Sequence, residues 1–194
     1  MRKSKQEAAE TRRRIVKAAA AKFRLNGIGG TGLSDLMAAA GLTHGGFYRH
    51  FNSKDQIVAE ACATAAEVMV GRLAASASKS PHSGLKTIAS AYLSAAHRDD
   101  PSDGCPLAAL GSEMARADEA TRAAATEAFL KLVNVIAGQF GKVRPEVARR
   151  RALIVASAMI GALTMARVVT NSELSAAILQ QTGKHLANSC SGMS

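Results

Sequence analysis

Cysteine is scarce. Cys62, Cys105 and Cys190 are the only three, widely separated and odd in number. That is not a disulfide framework, and a reducing cytoplasm is the simpler setting. No Cys-x-x-Cys, Gly-x-Ser-x-Gly or His-Glu-x-x-His occurs, so the common thiol, serine and zinc constellations have no starting point. The five histidines (His44, His50, His82, His97 and His185) are scattered. None stands at ligand spacing from a cysteine or carboxylate partner. The expectation is a non-enzyme with no metal and no cofactor. Long apolar runs are also missing. The longest, Ala152–Ala166, is interrupted by Ser157 and Thr164 and falls short of the roughly 20 residues a spanning helix needs. The opening MRKSKQEAAETRRR lacks the apolar segment of a signal peptide. A soluble, cytoplasmic protein without a membrane partner is expected. No convincing strand, repeat or low-complexity segment stands out.

What is present is positive charge, unevenly spread. Of 25 Lys and Arg, 11 lie in residues 1–55 against 4 Asp and Glu, a net +7. The remaining residues carry 14 against 11, a net +3. A basic head on a nearly neutral body suits a phosphate-facing surface. A membrane-surface helix is the rival reading, but the first helix lacks a broad apolar face with Trp or Leu anchors.

Apolar spacing predicts an all-α chain of about nine helices. Ser4 to Leu25 carries Ile15, Ala19 and Phe23 at i, i+4 and i+8 and stops at Asn26-Gly27. The glycine-rich loop Gly27–Gly30 lacks the Gly-Lys-Ser/Thr ending of a nucleotide loop and reads as a connector. After the helix that starts at Ser53 and runs to about Ser80, Pro81 begins another, roughly His82 to His97. Arg98–Gly104 reads as the clearest loop. Helices follow at about Pro106–Arg116, Glu119–Phe140, Pro145–Thr170 and Glu173–Asn188, with a frayed tail SCSGMS.

The densest pattern lies in residues 31–54, TGLSDLMAAAGLTHGGFYRHFNSK. Thr31 suits an N-cap, and Leu33, Leu36, Met37 and Ala40 give one apolar face. Gly41 suits the left-handed end of that helix, and Leu42 plugs the corner. Thr43 suits the cap of a second helix, His44–His50. The arrangement is a helix-turn-helix, whose second helix lies in the DNA major groove. Ser53 with Gln56 forms a capping box, placing Lys54 in a first helical turn among N–H groups that favour an anion. Gly45-Gly46 is a departure, two poor helix formers that each cost roughly 1 kcal/mol relative to Ala.

In these details (Thr31, the Asp35–Ala40 helix, Ala40-Gly41-Leu42-Thr43, Phe47-Tyr48-x-His50-Phe51 and Ser53-Lys54) the chain resembles the TetR family of bacterial transcriptional regulators. The resemblance implies a helix-turn-helix head, residues 1–52, and a helical effector-binding and dimerisation body, residues 53–194. It implies a homodimeric repressor that leaves an inverted-repeat operator on double-stranded DNA when a small effector binds. It carries phosphate contact onto Tyr48, His50 and Lys54, and base or groove contact onto Thr43, His44 and Gly45. Thr31 and Arg49 complete the expected DNA-binding set. Phe47 and Phe51 are expected in the core. One of Arg12, Arg13 and Arg14 is placed to reach a flanking phosphate, whereas Arg149-Arg150-Arg151 reads as a surface face.

The long helix mixes small and large apolar residues on more than one side. The resemblance implies that it and the last helix pair across a two-fold axis, through Ala158, Gly161, Ala162, Met165, Leu174 and Ile178; a purely intramolecular core helix is the alternative. Cys105 opens a helix after the main loop, where a lowered thiol pKa would make it nucleophilic. The sequence is similar there to a TetR branch with a Gly-Cys pair, some of whose members sense electrophiles or oxidants, so Cys105 is a candidate sensor. A small packed side chain is the plainer alternative, and it is the one expected of Cys62. Scant charge in the body points to an apolar or electrophilic effector. Two other functions are compatible with these residues: a thiol-dependent enzyme using Cys105 with a vestigial helix-turn-helix, and a DNA-organising protein that answers to no ligand.

Overall fold

The computed structural model describes residues 5–80 and 83–188. The expectations at Ser4, Pro81, His82, Cys190 and the tail lie outside the described residues. Within them the chain folds into nine α-helices and two 3-10 turns, with no strand. The helices are α1 (Lys5–Asn26), α2 (Leu33–Ala39), α3 (Lys54–Ser78), α4 (Gly84–Tyr92), α5 (Ala95–Asp99), α6 (Pro106–Met114), α7 (Glu119–Ala137), α8 (Pro145–Val168) and α9 (Ser172–Asn188). The 3-10 turns are His44–Arg49 and Pro101–Asp103.

Two expected elements fold differently. The helix predicted for His82–His97 is two helices, because Ser94 accepts the N–H of His97 at 3.1 Å and starts α5. A serine hydroxyl at a cap competes with continuation of the preceding helix. The predicted loop Arg98–Gly104 is largely helical. Asp100 accepts the N–H of Ser102 at 3.0 Å and caps the Pro101–Asp103 turn.

Two apolar clusters form the core. One gathers Ile15, Ala19 and Phe23 of α1 with Leu36, Met37, Phe47 and Phe51, then continues through Ile57, Ala61 and Ala65 of α3. Leu110, Met114 and Ala128 of the body close it. The other packs Ile88 and Tyr92 against Leu132, Ile136, Met159 and Leu163. Burying each such large side chain contributes about 1.5–3 kcal/mol. Because α3 supplies both clusters, head and body share one continuous helix.

α8 as a whole is long and apolar enough to cross a membrane by length and composition, unlike the shorter run read from the sequence. Its Ala152, Val155, Ala156, Met159 and Leu163 are nevertheless buried in this chain's own core. The opposite face leaves Ile154 and Val168 each 65% exposed and Met165 47% exposed.

Candidate nucleic-acid interface

The helix-turn-helix is assembled by local backbone chemistry. α2 ends in a paired turn: Gly41 donates to the carbonyl of Ala38 at 2.9 Å, and Leu42 donates to that of Met37 at 2.8 Å. This closure requires a left-handed residue, and Gly41 has φ +69°. Gly32, not Thr31, is the N-cap of α2, with the Asp35 carboxylate accepting the Gly32 N–H at 3.2 Å. Thr31 is buried and donates its hydroxyl to the carbonyl of Gly27 at 2.7 Å. That side chain ties the α1–α2 loop.

The second element is a 3-10 turn, His44–Arg49, where an α-helix was expected. Two consecutive glycines weaken α propensity, and a single tight turn loses less by it. Thr43 sits at its N-cap with an extended backbone and no side-chain cap bond, which leaves the hydroxyl exposed. His44, Gly45, Tyr48 and Arg49 are exposed beside it. Tyr48 is 67% exposed, a large aromatic with its ring edge-on to buried Phe47 at 5.2 Å. Phe47 stacks on Phe51 at 5.4 Å, and both are buried as expected. His44 Nδ1 lies 3.2 Å from the Ser34 hydroxyl of α2, which orients the imidazole.

His50 and Lys54 are more committed. The His50 carbonyl accepts from Arg12 Nε at 3.2 Å. Lys54 donates to the carbonyl of Ile28 at 2.6 Å, pinning the first turn of α3 to the α1–α2 loop. An ammonium has three donors, so capacity for a phosphate remains. Ser53 accepts the Gln56 N–H at 3.1 Å as the capping box requires, while the Gln56 amide oxygen reaches the N–H of Asn52 at 2.8 Å.

Arg12 is structural. Its guanidinium pairs with both carboxylate oxygens of Glu60 and lies 4.4 Å over the Phe51 ring. The hydrogen bond from Arg12 holds the Glu60 carboxyl below its ordinary pKa, and Glu60 raises that of Arg12. Arg13 and Arg14 are exposed, leaving them the freer members of that run. Glu113, on the body helix α6, was not anticipated from sequence. It accepts the N–H groups of Ile28 and Gly29 at 2.9 and 3.0 Å. A lone glutamate near a helix end gives no sign of a partner 85 residues away.

Cys105 is wholly buried at the N-cap of α6. Burial pushes its thiol pKa up, outweighing the opposite influence of the nearby Tyr92 hydroxyl, the N–H groups of Ala108 and Leu107, and the charge of Arg167. The lowered pKa expected from the helix N-terminus is thus overturned by desolvation. Cys62 is buried too, with its thiol pushed up to about 12. The Cys105 N–H donates to His97 Nε2 at 2.9 Å, and His97 Nδ1 lies 2.7 Å from the Tyr92 carbonyl. An acceptor at one nitrogen and a donor at the other fix a neutral Nδ1–H imidazole. Arg167 of α8 donates to the His97 and Arg98 carbonyls, and Arg24 of α1 donates to those of Pro101 and Ser102.

Of the six residues expected between protomers, Ala162 is buried in its own core and has almost no surface to offer. Gly161, Met165 and Leu174 are exposed, and Ala158 and Ile178 are half-buried against the body core.

An all-α chain with a basic head that presents a helix-turn-helix is a DNA-binding transcriptional regulator in architecture. Comparison with known proteins agrees. The family profile for bacterial regulatory proteins of the tetR family matches residues 15–61, and that for the LmrA/YxaF-like C-terminal domain matches residues 81–184. The chain belongs to the TetR family of bacterial transcriptional regulators. The regulator TtgR of Pseudomonas putida is 43% identical over 58 residues, 30% of this chain and 28% of that protein. AcrR of Shigella flexneri is 42% identical over 59 residues, 30% of this chain and 27% of that protein. The match thus spans less than a third of these curated relatives. A TetR regulator of Chloroflexus aurantiacus is similar throughout, at 31% identity, 96% and 97% coverage of the two chains and a TM-score of 0.78. The reduced form of E. coli NemR shares the fold, at 18% identity, 92% and 96% coverage and a TM-score of 0.77.

Proposed function

We propose that the protein is a cytoplasmic, non-enzymatic homodimeric repressor, released from an inverted-repeat operator by a small effector. The observation that carries the reading is the set Thr43, His44, Gly45, Tyr48 and Arg49, exposed together on one 3-10 turn of a basic head. Arg49 and Tyr48 reach backbone phosphates, with His50 and Lys54 beside them; Thr43, His44 and Gly45 face the groove. The head spans residues 1–52 and the body 53–194, with α3 as the rigid link. Two copies associate through the apolar face of α8 and α9. Release follows when an effector prefers a conformation that moves α6, whose Glu113 holds the Ile28–Gly29 loop of the head. A hundredfold loss of operator affinity needs about 2.7 kcal/mol of differential effector binding. Burial and the raised thiol pKa of Cys105 favour a reversible, apolar effector over direct attack by an electrophile.

The test is a salt titration of binding to an inverted repeat selected from random duplexes. Affinity should fall steeply with salt, and Arg49→Ala should flatten the log–log slope by about 0.9, one phosphate's worth. Tyr48→Phe should weaken binding to every sequence alike. A salt-independent affinity, or wild-type binding by both variants, would overturn this contact surface.

A further inference from the structure

A cleft of about 880 Å³ runs between α1 and α3; its lining includes no residue of the Thr43–Lys54 stretch and none of the body core cluster, and Arg13 is its one exposed member of the Arg12–Arg14 run. Its α1 wall extends from Ala9 to Arg24, roughly 22 Å at 1.5 Å per residue. The lining includes Val16, Ala20, Ala65 and Val68, and Val68 is 46% exposed there. The cleft also holds Arg13, Lys17, Arg24 and Arg72. Its carboxylates, Glu60 and Asp103, are each already paired, with Arg12 and Arg72. Among the described residues, none of Arg13, Lys17 and Arg24 is within ion-pair distance of a carboxylate in the cleft, although Asp103 acts on Arg24 from further off. Arg24 donates to neutral carbonyls, and its Nη1 is buried with no acceptor.

We infer that this cleft binds an amphipathic carboxylate, a small acid whose apolar body covers Val16, Ala20 and Val68 while its anion meets Lys17 and Arg24. The volume falls in the usual small-molecule range of roughly 300–1,000 Å³. A duplex does not suit it, because alanine and valine lie between the cations of the lining, and a sugar-phosphate backbone gains nothing by desolvating them. Charge complementarity selects the acid over a neutral or cationic amphiphile, since the lining carries a surplus of three cations. The occupant would also have a mechanical consequence. It touches head helix α1, linking helix α3 and the Pro101–Asp103 turn at once, and Arg24 and Arg72 fasten that turn to those two helices. A ligand carboxylate competes with Ser102 and Asp103 for these cations and shifts the head relative to the body. That effect on operator affinity rests on the proposed regulator reading; binding itself does not.

The experiment uses octanoate as probe, with octanol and acetate as controls, followed by calorimetry on the full chain. Lys17→Glu and Val68→Glu are both surface variants, with folding checked by circular dichroism. Octanoate should bind the wild type at least about tenfold tighter than either control, and each variant should lose about tenfold or more. Equal binding by octanol, undiminished binding by both variants, or no saturable octanoate binding would each overturn the proposal. If the variants alter sedimentation mass and leave octanoate affinity unchanged, the cleft receives a second copy of the chain, and the proposal is wrong. Operator binding by the ligand-free wild type is measured in parallel. Its failure would sink the regulator reading while leaving the cleft's affinity intact.

Discussion

Gly45 separates what the fold needs from what a partner needs. Its φ is not left-handed, and an added Cβ would meet nothing within 4 Å. Neither backbone strain nor packing calls for glycine there. At Gly41, by contrast, φ +69° demands one. The proposed contact surface supplies another reason at Gly45, close approach by DNA. Gly45→Ala should therefore leave the melting temperature unchanged or raise it, since alanine costs the unfolded chain entropy worth about 0.4–1 kcal/mol. Operator affinity should fall at the same time. Thermal melts and gel shifts on the same preparation decide it; a variant that loses stability instead would show that glycine serves the fold. The sequence already exposed the two glycines as poor helix formers and singled out Tyr48 and Arg49, which the fold leaves exposed. It misplaced Thr31, because a threonine before a helix signals a cap equally well whether its hydroxyl reaches forward or back to Gly27.

At the scale of elements, apolar periodicity located seven of the helices to within a few residues, since each buries one stripe against the core. It missed the break at Ser94 because the alanine-rich stretch on both sides keeps helical spacing through it. The α5–α6 corner was opaque for a further reason: its meaning lies in contacts from α1 and α8. There His97 is neutral, its pKa held below the ordinary 6.5 chiefly by burial, with the charges of Arg167 and Arg24 adding and the Tyr92 carbonyl and Asp103 opposing. Protonating Nε2 would set it against the Cys105 N–H. A histidine pKa depressed on folding means that the unfolded chain binds the extra proton. Stability should therefore fall as pH drops below about 6.5 and go on falling until the folded-state pKa is reached. Denaturant melts from about pH 7.5 down to about pH 5 check this. His97→Gln should flatten the dependence, and an unchanged slope in that variant would assign the titration elsewhere.

For the whole molecule the decisive surface is the outer face of α8 and α9. Ile154, Ser157, Gly161, Met165 and Val168 follow one another at three- and four-residue steps, so they form a single stripe, and all are exposed. Leu174, half exposed, supplies a large apolar group on α9. A contiguous apolar patch flanked by polar residues is characteristic of an interface. The buried Ala162 cannot belong to it, but its neighbour Gly161 can, and an added Cβ at Gly161 meets nothing within the chain. That geometry makes Gly161→Arg a clean probe. Arginine is a better helix former than glycine by roughly 0.8–1 kcal/mol, so the isolated fold should not suffer. Across a two-fold axis the same side chain would bring two guanidinium groups into a close-packed apolar contact, where unpaired charge is costly. Sedimentation should show the wild type as a dimer and Gly161→Arg as a folded monomer with unaltered circular dichroism. Binding to a single half-site should then survive at low salt, while tight binding to the inverted repeat is lost, because that affinity depends on two linked heads. Ile154→Lys, at the other end of the stripe, should act in the same direction. A Gly161→Arg protein that still sediments as a dimer would move the proposed interface off this face.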